Sequence, residues 1–287
     1  MSGFLLAGRT VVVTGGSMGI GLACAEECAR AGAAVVICAR GEADLAAATE
    51  TIGRIPDARV RAVRADVTVA ADVDRVLATA VELGGLDGVI HAAGVYGPIG
   101  PVTKVDPEQW LEAVSVNLFG TFLVARSACR LMQQRGTKGS IVLMSGGGAA
   151  TPFPNYTAYA CGKVAVVRFA ETLAQEVASD GIRVNAVAPG FVATRLHEQT
   201  LEAGAEMAGA FVETTKAQLA KGGVPASVAA LTCAFLLSDR AAGISGRFVA
   251  APYDDWDKWP ERIEKIAGSD LFTLRRIIPK DRGMDWQ

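Results

Sequence analysis

The chain has 287 residues, of which 51% are hydrophobic and 20% are charged, and its formal net charge is −2. This length favours one large core over several small domains. Charged residues interrupt every apolar stretch before the roughly 18 residues that a bilayer span requires, so no membrane helix is expected. The mixed charges provide no basic surface for nucleic acid, and the scattered cysteines favour neither a metal site nor a disulfide framework. The first residues do not resemble a signal peptide, so we expect a cytoplasmic protein.

Short β-branched runs alternate with longer helical patterns over the first two hundred residues, which is typical of βαβ units that build a parallel sheet. The strand runs are nearly all apolar, as expected of strands covered on both faces. The predicted strands are residues 10–14, 34–39, 60–64, 88–91, 140–144, 183–187 and 247–250. The predicted helices are residues 19–31, 42–53, 70–83, 107–135, 156–179 and 225–238. Residues 195–222 also have a helical composition but fit the alternation less well.

A glycine-rich turn follows the first predicted strand and leads into an apolar helical pattern. Glycines allow a tight turn whose backbone N–H groups can approach a pyrophosphate at a helix N-terminus. Such a turn alone is a weak signal, but a position between a strand and a helix is the context that a dinucleotide site requires. The predicted phosphate contacts are Gly15, Ser17, Met18, Gly19, Ile20 and Gly21.

Further motifs follow the turn in order. They are Asp66-Val67, His91-Ala92-Ala93-Gly94, Asn117, Tyr159-x-x-x-Lys163 and Pro189-Gly190-Phe191-Val192-Ala193-Thr194. With the turn spacing Thr-Gly-x-x-x-Gly-x-Gly, the chain from Arg9 to Ala250 resembles the short-chain dehydrogenase/reductase family. The resemblance implies a doubly wound, seven-stranded parallel sheet with helices on both faces, and a nicotinamide cofactor across the carboxyl ends of the strands. It also implies a catalytic domain over residues 1–250, a substrate loop at about 191–222, and a homodimer or homotetramer.

The resemblance assigns further cofactor contacts by position alone. Asp66 and Val67 would touch the adenine. Ala93 and Gly94 would line the cofactor's ribose, and Thr194 would bond the phosphates or the carboxamide. The remaining members of the implied cofactor set are Tyr159, Lys163, Pro189, Gly190 and Val192.

The end of the second predicted strand carries Ala39-Arg40 and no acidic residue. A carboxylate at this position would bond the 2′-hydroxyl of the adenine ribose, which favours NAD. A guanidinium would instead bind a 2′-phosphate. Arg40 therefore predicts NADP(H) as the favoured cofactor over NAD(H), with a solvated loop residue as the alternative interpretation.

Tyr159 and Lys163 lie four residues apart at the start of a strong helical pattern, so their side chains share one helix face. A free phenol has a pKa of about 10, and a nearby ammonium lowers this pKa by favouring the phenolate. Tyr159 would therefore donate a proton to a carbonyl oxygen in reduction and accept one in oxidation. By the resemblance, Lys163 would also hold the nicotinamide ribose, and Asn117 would bond main chain and anchor a water that relays protons to the lysine.

The residues after the fifth predicted strand depart from the family pattern. The family has a catalytic serine here, whereas alignment of the strand end puts Gly146 at that position and Ser145 one residue early. A shift of one residue on an extended backbone points a side chain to the opposite face. Either the glycines that follow let Ser145 turn into the site, or Tyr159 and backbone N–H groups hold the substrate oxygen instead.

Substrate contacts are expected from the segments after the fourth and fifth strands and from the segment that begins at residue 191. These segments mix glycine and aromatic residues with few charges, and a polyol or sugar-like compound is one candidate substrate. The predicted substrate residues are Tyr96, Gly147, Tyr156 and Phe191.

The composition changes abruptly at Ala251 and becomes aromatic and charged. Three of the four tryptophans, Trp256, Trp259 and Trp286, lie in residues 251–287. Disordered tails rarely carry so many large apolar residues, so this C-terminal extension is predicted to dock on its own domain or on a neighbouring subunit. It would act either as a cover over the mouth of a substrate site or as a structural clasp.

These patterns predict an enzyme, an NAD(P)(H)-dependent oxidoreductase that moves hydride between nicotinamide and a carbonyl or secondary alcohol. The alternative is a catalytically weak dinucleotide-binding protein that regulates or senses redox state. Gly146 favours this alternative, whereas intact Asn117, Tyr159 and Lys163 oppose it.

Overall fold

The computed structural model describes residues 6–286. Its centre is a seven-stranded sheet in the order β3-β2-β1-β4-β5-β6-β7. All neighbouring strands run parallel. The strands are Thr10–Thr14 (β1), Ala34–Ala39 (β2), Arg59–Arg64 (β3), Gly88–His91 (β4), Ser140–Met144 (β5), Arg183–Ala188 (β6) and Phe248–Ala250 (β7). The predicted doubly wound fold is confirmed, and the strand bounds differ from prediction by one residue at most.

Ten α-helices lie within the described residues. They are Gly19–Arg30 (α1), Glu42–Gly53 (α2), Ala70–Leu83 (α3), Pro107–Val114 (α4), Gly120–Arg135 (α5), Thr157–Glu176 (α6), Arg195–Ala208 (α7), Phe211–Ala220 (α8), Ala226–Leu237 (α9) and Ile263–Ala267 (α10). The segment that fits the strand-helix alternation poorly is thus a pair of helices, α7 and α8, inserted between β6 and α9.

Two apolar layers cover the sheet, because successive side chains of a strand point to opposite faces. Val11 and Val13 of β1 pack with α1, α2 and α9 on one face. Val12 packs with α3, α5 and α6 on the other face. Strand β3 is the exception, since Arg59, Arg61 and other residues of this edge strand are exposed. The expectation that both faces are covered is therefore wrong for β3, where charged side chains protect an open edge from pairing.

The helix predicted over 107–135 is interrupted in the middle. A π-helical turn, Ser115–Phe119, separates α4 from α5, and it contains Asn117, which is fully buried. π-Turns are frequent at functional sites because they re-aim a side chain without ending the helix. Residue periodicity alone does not reveal such a turn.

The C-terminal extension packs beside β7. Trp259 is 2% exposed and belongs to the same apolar layer as α1 and α9. The Arg247 guanidinium donates to the backbone carbonyls of Ser269 and Leu271, each at 2.9 Å. The Phe248 N–H donates to the Phe272 carbonyl at 2.7 Å, so the extension covers the open edge of the sheet.

Three further properties concern the whole described chain, residues 6–286. No helix in this range is both long and apolar enough to cross a membrane. In the same range, no three His, Cys, Asp or Glu side chains are grouped so that they could hold a metal ion. Every cysteine is a free thiol there, and only Cys161 is exposed.

Candidate active site

The carboxyl ends of β1, β2 and β4 open into one cleft of about 910 Å³. Strand order reverses between β1 and β4, and such a switch point is where ligands bind in open α/β sheets. Twelve of the predicted cofactor residues line this cleft: Gly15, Ser17, Met18, Gly19, Ile20, Gly21, Arg40, Asp66, Val67, Ala93, Gly94 and Thr194. The sequence motifs thus converge on a single surface.

The backbone of the glycine-rich turn is packed too closely for side chains. A Cβ on Gly15 would lie 2.8 Å from the Ala93 nitrogen, and a Cβ on Gly21 would lie 2.1 Å from the Gly15 carbonyl oxygen. Gly19 opens α1 with a φ of +54°, which glycine adopts without strain. The turn therefore exposes backbone at a helix N-terminus, as a dinucleotide pyrophosphate requires.

The predicted adenine end of the cleft carries charges of both signs. Arg40 is 63% exposed, and its guanidinium lies 4.0 Å from the Asp66 carboxylate. Asp44, in the first turn of α2, also lines this end. This carboxylate was not predicted, because the prediction rested on the end of β2 alone, although Asp44 follows Arg40 by four residues across a helix start.

The first turn of α7 forms a wall of the cleft, where the resemblance implied a substrate loop at about 191–222 without naming residues after Thr194. Arg195, His197 and Glu198 line it together with Leu219 of α8. Burial lowers the pKa of His197 to about 4, so this imidazole is neutral near pH 7. Helical periodicity predicts α7 and α8 but does not tell which surface they cover.

Asn117 and Lys163 lie behind the cleft wall at Gly94. A Cβ on Gly94 would be 2.9 Å from Asn117 Oδ1 and 3.1 Å from Lys163 Nζ. The Asn117 amide donates to the Val95 carbonyl at 2.8 Å, and the Val95 N–H donates to Asn117 Oδ1 at 3.1 Å. Asn117 therefore fixes the backbone that follows β4, and only a glycine at 94 leaves Lys163 this close to the cleft.

Tyr159 and Lys163 share one face of α6, but the ammonium does not contact the phenol hydroxyl. Lys163 Nζ donates to the Met144 carbonyl at 2.9 Å and lies 5.7 Å from the centroid of the Tyr159 ring. Burial raises the pKa of Tyr159 to about 12 and lowers the pKa of Lys163 to about 8. The expected lowering of the Tyr159 pKa by the ammonium is therefore wrong for this structure, because burial dominates.

The backbone at the end of β5 decides which residue faces Tyr159. The Ser145 hydroxyl is buried and donates to the Lys163 backbone carbonyl at 3.0 Å. A Cβ on Gly146 would lie 2.3 Å from the Tyr159 hydroxyl oxygen. Position 146, and not 145, is therefore the one whose side chain would meet the phenol.

The predicted substrate residues do not line the cleft. Tyr156 is fully buried and its hydroxyl donates to Thr200 Oγ1 at 2.9 Å. Tyr96 is 4% exposed and meets the Tyr159 ring edge-on, with ring centroids 4.8 Å apart. Phe191 contacts the His197 ring instead. The cleft is also not lined by Gly147, which was predicted to contact substrate, nor by Pro189, Gly190 and Val192, which were predicted to contact the cofactor.

Replacing Gly146 with alanine should lower kcat by about 10²-fold, because the new Cβ would displace the Tyr159 hydroxyl and a 1 Å misplacement can have this effect. Gly53→Ala at the end of α2 is the matched variant, since its Cβ would meet no atom within 4 Å, the residue lies outside the cleft, and the change should have a much smaller effect. Steady-state kinetics with melting temperatures of both variants provide the measurement. Equal activities for the two variants would contradict the assigned contact.

The fold and the cleft define a class of protein, the nucleotide-binding α/β enzymes with a switch-point cleft at the carboxyl ends of parallel strands. The family model described as short chain dehydrogenase matches residues 9–204. The chain belongs to this family, as its motifs suggest. Its members are oxidoreductases that bind NAD(P), and the prediction of an enzyme is confirmed.

Named relatives match most of the chain. A 2-(S)-hydroxypropyl-CoM dehydrogenase of Xanthobacter autotrophicus is 34% identical over 245 residues, which cover 84% of this chain and 94% of the relative. A galactitol 2-dehydrogenase of Rhizobium johnstonii is 38% identical over 250 residues, with coverage of 86% and 94%. The solved structure of a levodione reductase superposes with a TM-score of 0.77 at 30% identity, covering 85% of this chain and 96% of that one.

Proposed function

We propose that the protein is an NADP(H)-dependent oxidoreductase that interconverts a carbonyl compound and its secondary alcohol. One observation carries this proposal: the cleft wall at Gly94 lies directly against the Lys163 ammonium, one helical turn after Tyr159. A cofactor site and a proton-transfer pair therefore adjoin. The test is oxidation of NADPH, followed by absorbance, in the presence of a panel of ketones and aldehydes.

The proposed chemistry divides between the cofactor and the chain. Bound nicotinamide supplies the hydride in reduction and accepts it in oxidation. Tyr159 is the general acid of reduction, since its raised pKa keeps the phenol protonated and ready to donate to the carbonyl oxygen. Lys163, with a pKa of about 8, would resupply that proton through an intervening water, because its ammonium is not hydrogen-bonded to the phenol, and it would hold the cofactor's ribose. Asn117 positions this end of the cleft through its two bonds to Val95.

The preference for NADP(H) over NAD(H) is part of the proposal. Arg40 lines the cleft with an exposed guanidinium, and its distance of 4.0 Å from Asp66 leaves donors for a 2′-phosphate. Asp44 opposes this preference, because a carboxylate in the same region repels a phosphate.

Replacing Arg40 with aspartate should raise KM for NADPH by more than about tenfold and change KM for NADH much less, since a charge-assisted contact contributes ~1.5 to 3 kcal/mol. Initial rates with both cofactors and one carbonyl substrate measure this selectivity. Arg54→Asp, an exposed charge reversal on a residue paired with Glu50 outside the cleft, is the matched control. Unchanged selectivity in Arg40→Asp would overturn the assignment.

The alternative of a redox-sensing regulator has one supporting feature, the glycine at position 146. Tight binding of NADPH without turnover of any carbonyl in the panel would favour it. The names of the relatives, which include dehydrogenases and a reductase, support turnover instead.

The proposal also includes a cytoplasmic location and assembly as a homodimer or homotetramer. Large apolar side chains on α4 and the adjoining helices support assembly with a second copy. Leu111 is 61% exposed, and the Phe119 and Phe122 rings, which are 48% and 39% exposed, stack with centroids 6.0 Å apart. Exposed apolar groups of this size typically mark a protein interface.

A further inference from the structure

His91 ends β4, and its imidazole is buried beside the first strand. The residue is 1% exposed, and its Nδ1 lies 2.8 Å from the Thr14 hydroxyl oxygen. That oxygen also accepts the Ala93 N–H at 3.4 Å. Within residues 6–286 the Thr14 hydroxyl proton has no acceptor other than Nδ1. Nδ1 therefore accepts this proton, and the neutral imidazole carries its own proton on Nε2.

The Nε2 atom of His91 is buried and has no hydrogen-bond partner among the described residues. Burial, together with the charge of the nearby Lys163 ammonium, lowers the pKa of His91 to about 3, so the ring is neutral near pH 7. A buried donor without an acceptor loses the hydrogen bond that it makes to water in the unfolded chain. The Nε2–H therefore requires an acceptor that protein atoms in this part of the chain do not supply.

The hydrogen bonds of β5 place the Lys163 ammonium next to this imidazole. The Ser145 N–H points to β6, where it donates to a backbone carbonyl at 2.8 Å. The Met144 carbonyl belongs to the same trans peptide and therefore points the opposite way, toward β4. Lys163 Nζ donates to this carbonyl at 2.9 Å, and His91 pairs in register with Leu143. The ammonium thus lies at the end of β4.

The two side chains also lie on the same face of the sheet. Val89 packs in the apolar layer that contains α3, α5 and α6. His91 stands two residues further along β4 and points to the same face. Lys163 projects from α6, which belongs to this layer. The imidazole and the ammonium are therefore neighbours behind the cleft wall.

Two donors that face each other cannot bond directly and require a shared acceptor. The Lys163 ammonium has three protons, of which one goes to the Met144 carbonyl and, in the proposed function, one goes to the cofactor's ribose. A water oxygen can accept the third proton together with the His91 Nε2–H. Buried waters typically bridge polar groups that lack partners in the protein.

We propose that His91 is a positioning residue for Lys163, and that its Nε2–H and the Lys163 ammonium donate to one buried water at the end of β4. This water solvates the ammonium inside the protein and favours its charged form. His91 thereby keeps Lys163 protonated and able to resupply the Tyr159 phenol. Only this last step rests on the proposed function, because the water site does not depend on turnover.

No charged neighbour complicates the titration of Lys163 within residues 6–286. The titratable groups beside it are Tyr159 on its own helix and His91 on β4, and both are uncharged near pH 7. The end of β5 and the π-turn contribute Ser145 and Asn117, which do not titrate. A change in the pKa of Lys163 therefore reports on its hydrogen bonds.

Two variants separate the proposed water contact from the bond to Thr14. The amide of His91→Asn reaches about as far as Nδ1, so this variant retains a partner for Thr14 and removes the donor at Nε2. The longer His91→Gln retains a donor near the position of Nε2. We expect His91→Asn to lower the pKa of Lys163 by about one unit, the size of a hydrogen bond to a charged group, and His91→Gln to recover most of this loss.

NMR titration of the lysine Cε carbons, assigned with Lys163→Met, measures this pKa in the protein without cofactor. A lower melting temperature of His91→Asn with an unchanged Lys163 titration would overturn the inference, because a purely structural histidine predicts that result. The pH profile of carbonyl reduction provides the link to turnover. Its alkaline fall should begin about one pH unit lower in His91→Asn than in the wild-type protein. An unchanged profile would overturn the role of His91 in proton supply.

The wild-type protein gives a test that requires no variant of His91, because the chain has only two histidines. We expect nitrogen-15 NMR to show His91 protonated on Nε2 and unprotonated on Nδ1 from about pH 5 to about pH 9, with a nuclear Overhauser contact between the Nε2 proton and water. The opposite tautomer, or a missing water contact, would overturn the water site. No turnover of any carbonyl by the wild-type protein would overturn the proposed function, whereas the water site is decided by NMR.

Discussion

Replacing Tyr159 with phenylalanine should lower kcat by about 10² to 10⁴-fold, the usual contribution of a positioned acid or base. The variant retains the ring that packs against Tyr96 and Phe153 and removes only the transferable proton. Cofactor affinity should stay unchanged, because Tyr159 lies outside the residues that line the cleft. Stopped-flow turnover together with a fluorescence titration of NADPH separates the two quantities.

The matched control is Tyr156→Phe. Tyr156 stands three residues earlier on the same helix start, and its hydroxyl donates to Thr200. Its loss should lower the melting temperature slightly and leave most of the turnover, because a neutral buried hydrogen bond contributes only ~1 kcal/mol. If Tyr159→Phe retained most of its activity, or if the two variants lost activity equally, the assignment of Tyr159 as the proton donor would be wrong.

Deletion of residues 252–287 should destabilise the chain by ~5 kcal/mol or more. The deletion removes Trp259 and Ile266, each at most 3% exposed, from the apolar layer over α9. Loss of one buried aromatic residue alone typically costs ~3 to 5 kcal/mol. The Arg247 guanidinium and the Phe248 N–H would lose their carbonyl partners as well. Native domains have only ~5 to 15 kcal/mol of stability, so much of the truncated protein should be unfolded at 37 °C.

Three measurements on one sample distinguish the two hypotheses for the C-terminal extension. They are differential scanning calorimetry, activity at low temperature and native mass. A clasp predicts a lower melting temperature with turnover retained in the remaining folded protein, whereas a cover predicts lost turnover in a stable assembly. The contacts at β7 favour the clasp, and none of the described residues after 250 lines the cleft. Deletion from Gly283 onward, which removes the exposed Met284 and Trp286, is the control and should be nearly neutral.

The location of the phosphate turn and of the proton-transfer pair was predictable from local sequence. The turn requires glycine at positions where a Cβ would clash with backbone, and this requirement is visible as Gly15 and Gly21. The spacing of four residues between Tyr159 and Lys163 places both on one face of α6, whatever surrounds the helix. The alternation of β-branched and helical segments likewise predicted the confirmed fold class, because each segment reflects the preferences of residues close together in the chain.

The environment of these residues was not predictable. The pKa of Tyr159 depends on burial by Tyr96 and Phe153, which come from other segments of the chain. The pKa of His197 also depends on burial, which arises because α7 packs its first turn against the cleft. Local periodicity describes one element at a time, and burial is a property of several elements packed together.

The sequence by itself therefore determined the parallel sheet, the phosphate turn and the helix face that carries Tyr159 and Lys163, because each depends on backbone preferences within a few residues. The tertiary structure decided which residue at the end of β5 faces the phenol, since the hydrogen bond from Ser145 to the Lys163 carbonyl joins β5 to α6. It also decided where the C-terminal extension docks, because the partners of Arg247 lie more than 20 residues further along the chain.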